Sequence, residues 1–162
     1  MLFLVFEIGN ERYCLEVSRI IEITPMVIFK KIPHAPAYVS GLFNYRGTIV
    51  PVIDLSIMIA GKPSRPLFST RIILVDYVSE DKAHHILGLL AEKATETISC
   101  REEDFQPPGI EVDEAQYLGD VIFDERGMIQ RVRVEKLPPE NIRDYQRDYQ
   151  LIALKENNDT VL

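Results

Sequence analysis

The 162 residues carry 18 Lys and Arg against 25 Asp and Glu, a net charge of −7, with 46% hydrophobic positions. That length and balance fit one globular domain, built of up to two lobes, and exclude a largely disordered or collagen-like chain. The longest apolar stretch, residues 49–60, is broken by Pro51 and Asp54 and falls short of the roughly 20 residues a membrane helix needs. Nine acids and one base crowd into residues 101–125, so the remainder is nearly neutral. No broad basic footprint for nucleic acid is present. The opening residues show neither a basic leader nor a small-residue cleavage site, and the only cysteines are Cys14 and Cys100. Both features point to a reduced, cytoplasmic setting.

In chain order the pattern is mostly that of strands. Leu2, Leu4, Phe6 and Ile8 alternate with Phe3 and Val5, and Gly9-Asn10 is a two-residue hairpin signal before a second strand over 12–17. Residues 18–23 fit a short helix or a strand equally. Two apolar runs in residues 41–55 flank an Asn44-Tyr45-Arg46-Gly47 turn. The second run is apolar on both faces, so protein should cover both sides. Pro51 cannot donate to a ladder, which predicts an edge or a bulge there. Residues 61–66 read as a surface connection and a candidate boundary between lobes. Further strands are predicted over 71–77, 84–91, 94–100, 117–123 and 128–134, with an acidic loop around Pro107-Pro108-Gly109. Only the tail, about 138–155, carries helical spacing. Many short strands with frequent turn signals predict a small all-β barrel or sandwich fold.

Motifs for chemistry are missing. The eight glycines form neither a dinucleotide fingerprint nor a phosphate loop, and there is no nucleophile elbow. His84 and His85 are adjacent and would point to opposite faces of a strand, so they do not chelate one metal together. Cys14 and Cys100 read as core residues. Consecutive acids at Glu102-Glu103-Asp104 lack the ligand spacing of a calcium loop and read as a solvated face. No catalytic residue, metal or cofactor is expected.

The segment GLFNYRGTIVPVIDL, residues 41–55, resembles the signature of the CheW-like domain: a glycine, an Asn-x-Arg-Gly turn and a Val-Pro-x-x-Asp-Leu strand. Residues 4–23, the loop over 33–39, and residues 86–99, 117–122 and 134–139 continue the likeness in order. The resemblance implies one domain over 1–162, folded as two intertwined small SH3-like β-barrels with short helices and a C-terminal helix. It implies a non-enzymatic adaptor of chemotaxis-like signalling, cytoplasmic and peripheral. Its partners would be the cytoplasmic tip of a methyl-accepting chemoreceptor and the regulatory domain of a CheA-type histidine kinase, with no nucleic acid and no membrane insertion. The Asn-Tyr-Arg-Gly wording and the Met-Leu-Phe-Leu opening are similar to adaptors of the Wsp surface-sensing type.

Carried over residue by residue, Ile20, Glu22, Gly41, Asn44 and Arg46 are expected to contact the receptor, while Gly47, Pro51 and Asp54 are expected to serve structure. On a continued strand, Leu42, Asn44 and Arg46 would share one face. Arg46 could offer a forked bond to a partner carboxylate or carbonyl, or instead hold the protein's own loop, through Asp54 for example. Two features depart from the family pattern. Arg131 and Arg133 share a face with Ile129, which predicts a face open to solvent or to an acidic partner. Lys93 stands where a glycine is expected after Glu92. The kinase-binding residues are therefore left unassigned. An alternative reading is a stand-alone barrel that binds a small molecule or a peptide, with a pocket-sized cavity as its mark. A hydrolase or transferase with catalytic groups scattered through the sequence is a third.

Overall fold

The computed structural model describes residues 1–78 and 82–137, so the helix expected over 138–155 lies outside the described residues. The alternating opening forms strand β1 (Leu2–Ile8). Gly9-Asn10 returns the chain as β2 (Glu11–Glu16), with Ile8 opposite Glu11. The undecided stretch resolves into a 3-10 turn, Val17–Arg19, followed by β3 (Ile20–Pro25). Next come β4 (Val39–Tyr45), β5 (Thr48–Asp54), a short helix α1 (Leu55–Ala60), β6 (Arg71–Val78) and β7 (His84–Ser99). A second hairpin, β8 (Leu118–Asp124) and β9 (Gly127–Val132), ends the sheet.

Pairing sorts these strands into two small barrels. In the first, β1 lies between β2 and the C-terminal half of β7; β2 runs parallel to β9, and β9 pairs with β8. In the second, β6 lies between β3 and the N-terminal half of β7, while β5 joins β7 to β4. Each barrel is drawn closed by one isolated bridge with reciprocal 2.8 Å backbone bonds, Gln106 to Val121 in the first and Lys30 to Leu42 in the second. The all-β, two-barrel fold expected from the sequence is the one observed.

Strand β7 belongs to both barrels and replaces the two strands expected over 84–91 and 94–100. Its first half pairs with β6, from Val78 opposite His84 to Arg71 opposite Ala91; its second half pairs with β1. Between them Glu7 opposes Glu92 and Val5 opposes Glu96, so the single residue Phe6 faces a three-residue bulge over 93–95. A bulge bends and twists a strand, which lets one continuous strand turn from one barrel into the next.

Helix α1, one of the short helices that the resemblance implies, directly follows β5. Asp54 caps it by accepting from the Ser56 N–H at 3.0 Å, and at six residues it is too short to show a helical period. Two further expectations are corrected. The 61–70 connection is no lobe boundary, because the strands on either side of it, β5 and β6, both belong to the second barrel. Pro51 sits neither on an edge strand nor at the β4–β5 register shift. It is tolerated because the pairing of β5 with β7 starts only at Val52.

The core is threefold. Phe3, Val5, Cys14, Cys100, Phe105, Ile122 and Ile129 fill the first barrel, and Val50, Val52, Ile72, Leu74 and Leu90 fill the second. The largest cluster lies between them, where Leu4, Phe6, Ile8 and Leu15 meet Ile53, Ile73, Val75, Tyr77, Leu87 and Leu89. Strands β1, β5 and β6 are therefore apolar on both faces, one face for their own barrel and one for its neighbour.

Candidate partner-binding surface

The expected receptor residues fall on β3 and the β4–β5 hairpin of the second barrel. Tyr45 opposes Thr48, so Arg46 and Gly47 alone form the turn; both carry positive φ, +49° and +86°. That pair of values is what a two-residue type I′ turn demands, and Gly47 supplies its half without a steric cost. Asn44 Oδ1 accepts the Gly47 N–H at 2.7 Å and closes the turn from the side. Arg46 thus leaves the strand before it can share a face with Leu42 and Asn44, which corrects the face expected for it. Its guanidinium stands over the Tyr45 ring, 5.2 Å from the centroid, and its Nη2 lies 3.4 Å from Glu22 Oε2. The Tyr45 hydroxyl donates to the same carboxylate oxygen. That hydrogen bond raises the Tyr45 hydroxyl above the ordinary phenol pKa. The intramolecular partner of Arg46 is therefore Glu22 and not Asp54.

Each of the other residues has a defined place. Ile20 is half-buried against the inter-barrel core, while Ile21 and Ile23 on β3 and Ile49 on β5 remain exposed. Gly41 is buried, with φ at +141°, and a Cβ there would meet Lys30 O at 2.4 Å and Phe29 Cβ at 2.9 Å. It permits the Lys30–Leu42 bridge and makes no surface of its own. Asp54 is 3% exposed and accepts from Ser64 N–H at 2.9 Å and Ser64 Oγ at 2.7 Å, fastening the loop after α1. Sequence reasoning passed over Tyr45. The signal available was an aromatic residue between Asn44 and Arg46 in a turn that needs only small polar residues.

The first barrel answers two of the departures. Arg131 does not face solvent or await an acidic partner. It bonds Glu102 at 2.9 Å and Glu16 at 3.1 Å and lies over the rings of Phe3 and Phe105 at 5.1 and 5.3 Å. A guanidinium stacks on aromatic faces while its edge stays hydrogen-bonded, so an arginine can roof an apolar core. Arg133 reaches Asp120 at 3.6 Å. Beneath that roof the Cys14 thiol is pushed up to about 12 by burial, which makes it a packing group and not a nucleophile. Lys93 has φ +50°, the left-handed backbone that favours glycine, and its ammonium pairs with Glu7 at 3.0 Å.

Among the described residues no group of three or more His, Cys, Asp and Glu is arranged to hold a metal ion, and no helix is long and apolar enough to cross a membrane. His84 bonds Asp76 at 3.1 Å while His85 stacks on Tyr77, so the adjacent histidines part to different partners. The side chains clustered inside both barrels are buried, at 0–9% exposure. A groove of about 810 Å³ does run over the acidic loop, with Ile110, Val112, Asp120 and Arg133 in its lining.

The family model for the CheW-like domain matches residues 2–140. The chain is 29% identical over 143 residues to a chemotaxis protein CheW of Rhizobium meliloti, covering 87% of this chain and 89% of that protein. It is also 29% identical over 136 residues to a probable chemotaxis protein CheW of Rhizobium etli, covering 83% and 84%. The crystal structure of the scaffolding protein TtCheW from Thermoanaerobacter tengcongensis aligns with a TM-score of 0.73 at 27% identity, over 84% of this chain and 86% of that one. The chain therefore belongs to the CheW-like domain family and is a non-enzymatic scaffold of chemotaxis-type signalling.

Proposed function

We propose that this chain couples the cytoplasmic tip of a chemoreceptor to a CheA-type histidine kinase, and that its receptor surface is the β4–β5 hairpin with β3. Both partners are cytoplasmic, and so is the chain in this reading. The observation that carries it is the presentation of Arg46. An arginine held in left-handed backbone, with its side chain 76% exposed and fixed by a ring and a carboxylate, is built to be met from outside. Ile21 and Ile23, which flank Glu22 along β3, and Ile49 in the hairpin are exposed apolar residues of the same two elements. Exposed apolar residues with one forked cation on these elements suit an amphipathic helix carrying a carboxylate.

The test is a titration of isotope-labelled protein with the tip fragment of the chemoreceptor encoded nearest to it, then with the regulatory domain of the neighbouring kinase. Saturable shifts around residues 20–23 and 44–49 with the receptor, and at a separate surface with the kinase, are expected, at dissociation constants on the order of 1 μM. Arg46→Glu should weaken the receptor complex about tenfold or more while melting as the parent does. Receptor binding unchanged in that variant would remove Arg46 from the surface.

A further inference from the structure

We infer that Tyr45 is the positioning residue of this surface, holding Glu22 with its hydroxyl and Arg46 with its ring so that a free guanidinium edge meets a partner carboxylate. The inference rests on the receptor-surface reading above and names the residue on which it turns.

The base of the arrangement is rigid. Tyr45 ends β4, and its ring lies 6.4 Å from that of Phe43, which in turn lies 6.4 Å from that of Phe29. All three pack against the Val50–Val52–Ile72–Leu74–Leu90 cluster, so the ring is anchored in the second barrel's core. The load it carries is floppy by nature. A free arginine side chain loses much rotamer entropy when it is fixed in one geometry, and the turn backbone does not orient it. The ring face and the Glu22 carboxylate supply that orientation.

Glu22 needs holding too, since it lies on β3 and pairs through its backbone with Leu74 and not with the hairpin. The Tyr45 hydroxyl donates a hydrogen bond from the end of β4 to that carboxylate, beside the looser contact of Arg46. One consequence follows for recognition. The carboxylate already accepts from a phenol and a guanidinium, so it is poorly placed to take a partner cation. The guanidinium has five N–H donors and a single 3.4 Å contact to Glu22, so most of its donors remain for an incoming carboxylate or carbonyl.

The test compares Tyr45→Phe, Tyr45→Leu and Arg46→Glu for binding to the same receptor tip fragment, with melting curves and the NMR shifts of the Arg46 side chain alongside. Tyr45→Phe keeps the ring and should weaken binding about threefold; Tyr45→Leu loses ring and hydroxyl and should weaken it about tenfold. In the parent the Arg46 δ-methylene and Nε–H signals should carry the upfield ring-current shift of a group above an aromatic face, lost in Tyr45→Leu and retained in Tyr45→Phe. A merely structural tyrosine would lower the melting point without moving those signals. Parent-like binding by Tyr45→Leu, with Arg46→Glu defective, overturns the positioning role alone. Parent-like binding by Arg46→Glu overturns the receptor-surface reading and the inference with it.

Discussion

At the scale of single residues, Lys93 shows how a fold-level demand lands on one backbone position. The bulge that bends β7 from one barrel to the other puts this lysine at φ +50°. A non-glycine residue in that region costs about 1 kcal/mol relative to glycine. The exposed ion pair with Glu7 returns a few tenths, at most about 1 kcal/mol. The two effects nearly cancel, so Lys93→Gly should leave the urea midpoint unchanged or slightly raised. Lys93→Val places a β-branched residue in the same conformation and gives up the ion pair, and it should cost about 1–2 kcal/mol. Equal midpoints for the two variants would mean that the bulge can relax. The resemblance had marked this site only as a missing glycine, and the reason for a glycine was legible once the bulge was seen. Arg46 behaves alike: its membership of a turn could be read from Asn44 and Gly47. Its partner could not, because Glu22 sits 24 positions earlier and the Tyr45 that joins them occupies the unspecified place of the Asn-x-Arg-Gly turn.

At the scale of elements, the loop between α1 and β6 is irregular yet fastened near its middle by two adjacent residues. Ser64 is held by Asp54 and Arg65 by Glu92, whose carboxylate accepts the Arg65 backbone N–H at 2.6 Å and its Nη2 at 2.9 Å. Glu92 is 5% exposed, and the Arg65 hydrogen bond, the largest influence, lowers its pKa from the ordinary value of 4.5 against the opposing effect of burial. A carboxylate whose pKa is lowered on folding contributes stability that is fully present above the unfolded value and is lost as pH falls through the folded one. The loop and the barrel crossing should therefore weaken below about pH 4.5, and Glu92→Gln should flatten that acid limb. Removing the acceptors with Glu92→Ala should cost about 1–3 kcal/mol at neutral pH, because Arg65 is exposed enough to be rehydrated. Urea melts at pH 7 and pH 4 for parent and both variants check this; an acid limb as steep in Glu92→Gln as in the parent would assign it to other carboxylates. Nothing local announced the contact, since residues 61–66 have the composition of a plain surface connection and Glu92 is 27 positions from Arg65. Element reading failed in the same way at β7, where two apparent strands are one, while periodicity is silent on α1, whose six residues are decided by the Asp54 cap.

At the scale of the whole molecule, the apolar character of both faces of β5 was readable and correctly implied cover on both sides. Which face serves which barrel was not readable, because the answer depends on pairings such as β2 with β9 that join residues more than a hundred positions apart. The outcome is that each barrel's own core is smaller than the cluster the two share. The first rests on seven fully or nearly buried side chains and the second on five, whereas eighteen lie in the cluster between them. Strand β7 also contributes its backbone to both sheets. Separating the barrels would expose the largest cluster and sever that shared strand, so the two should unfold together. Ile73→Ala, at the interface, should cost about 2–4 kcal/mol, and so should Leu74→Ala inside the second barrel; both residues are fully buried. In each variant, amide signals from the first barrel, such as Val5 and Ile129, should be lost at the same urea concentration as those from the second, such as Val52 and Leu90. A variant in which the second barrel melts while Val5 and Ile129 keep their signals would show that the inter-barrel cluster is a docking surface between two independent folding units. The shared strand argues for a single unit, since half of β7 cannot lose its ladder without drawing on the bulge that fixes the other half.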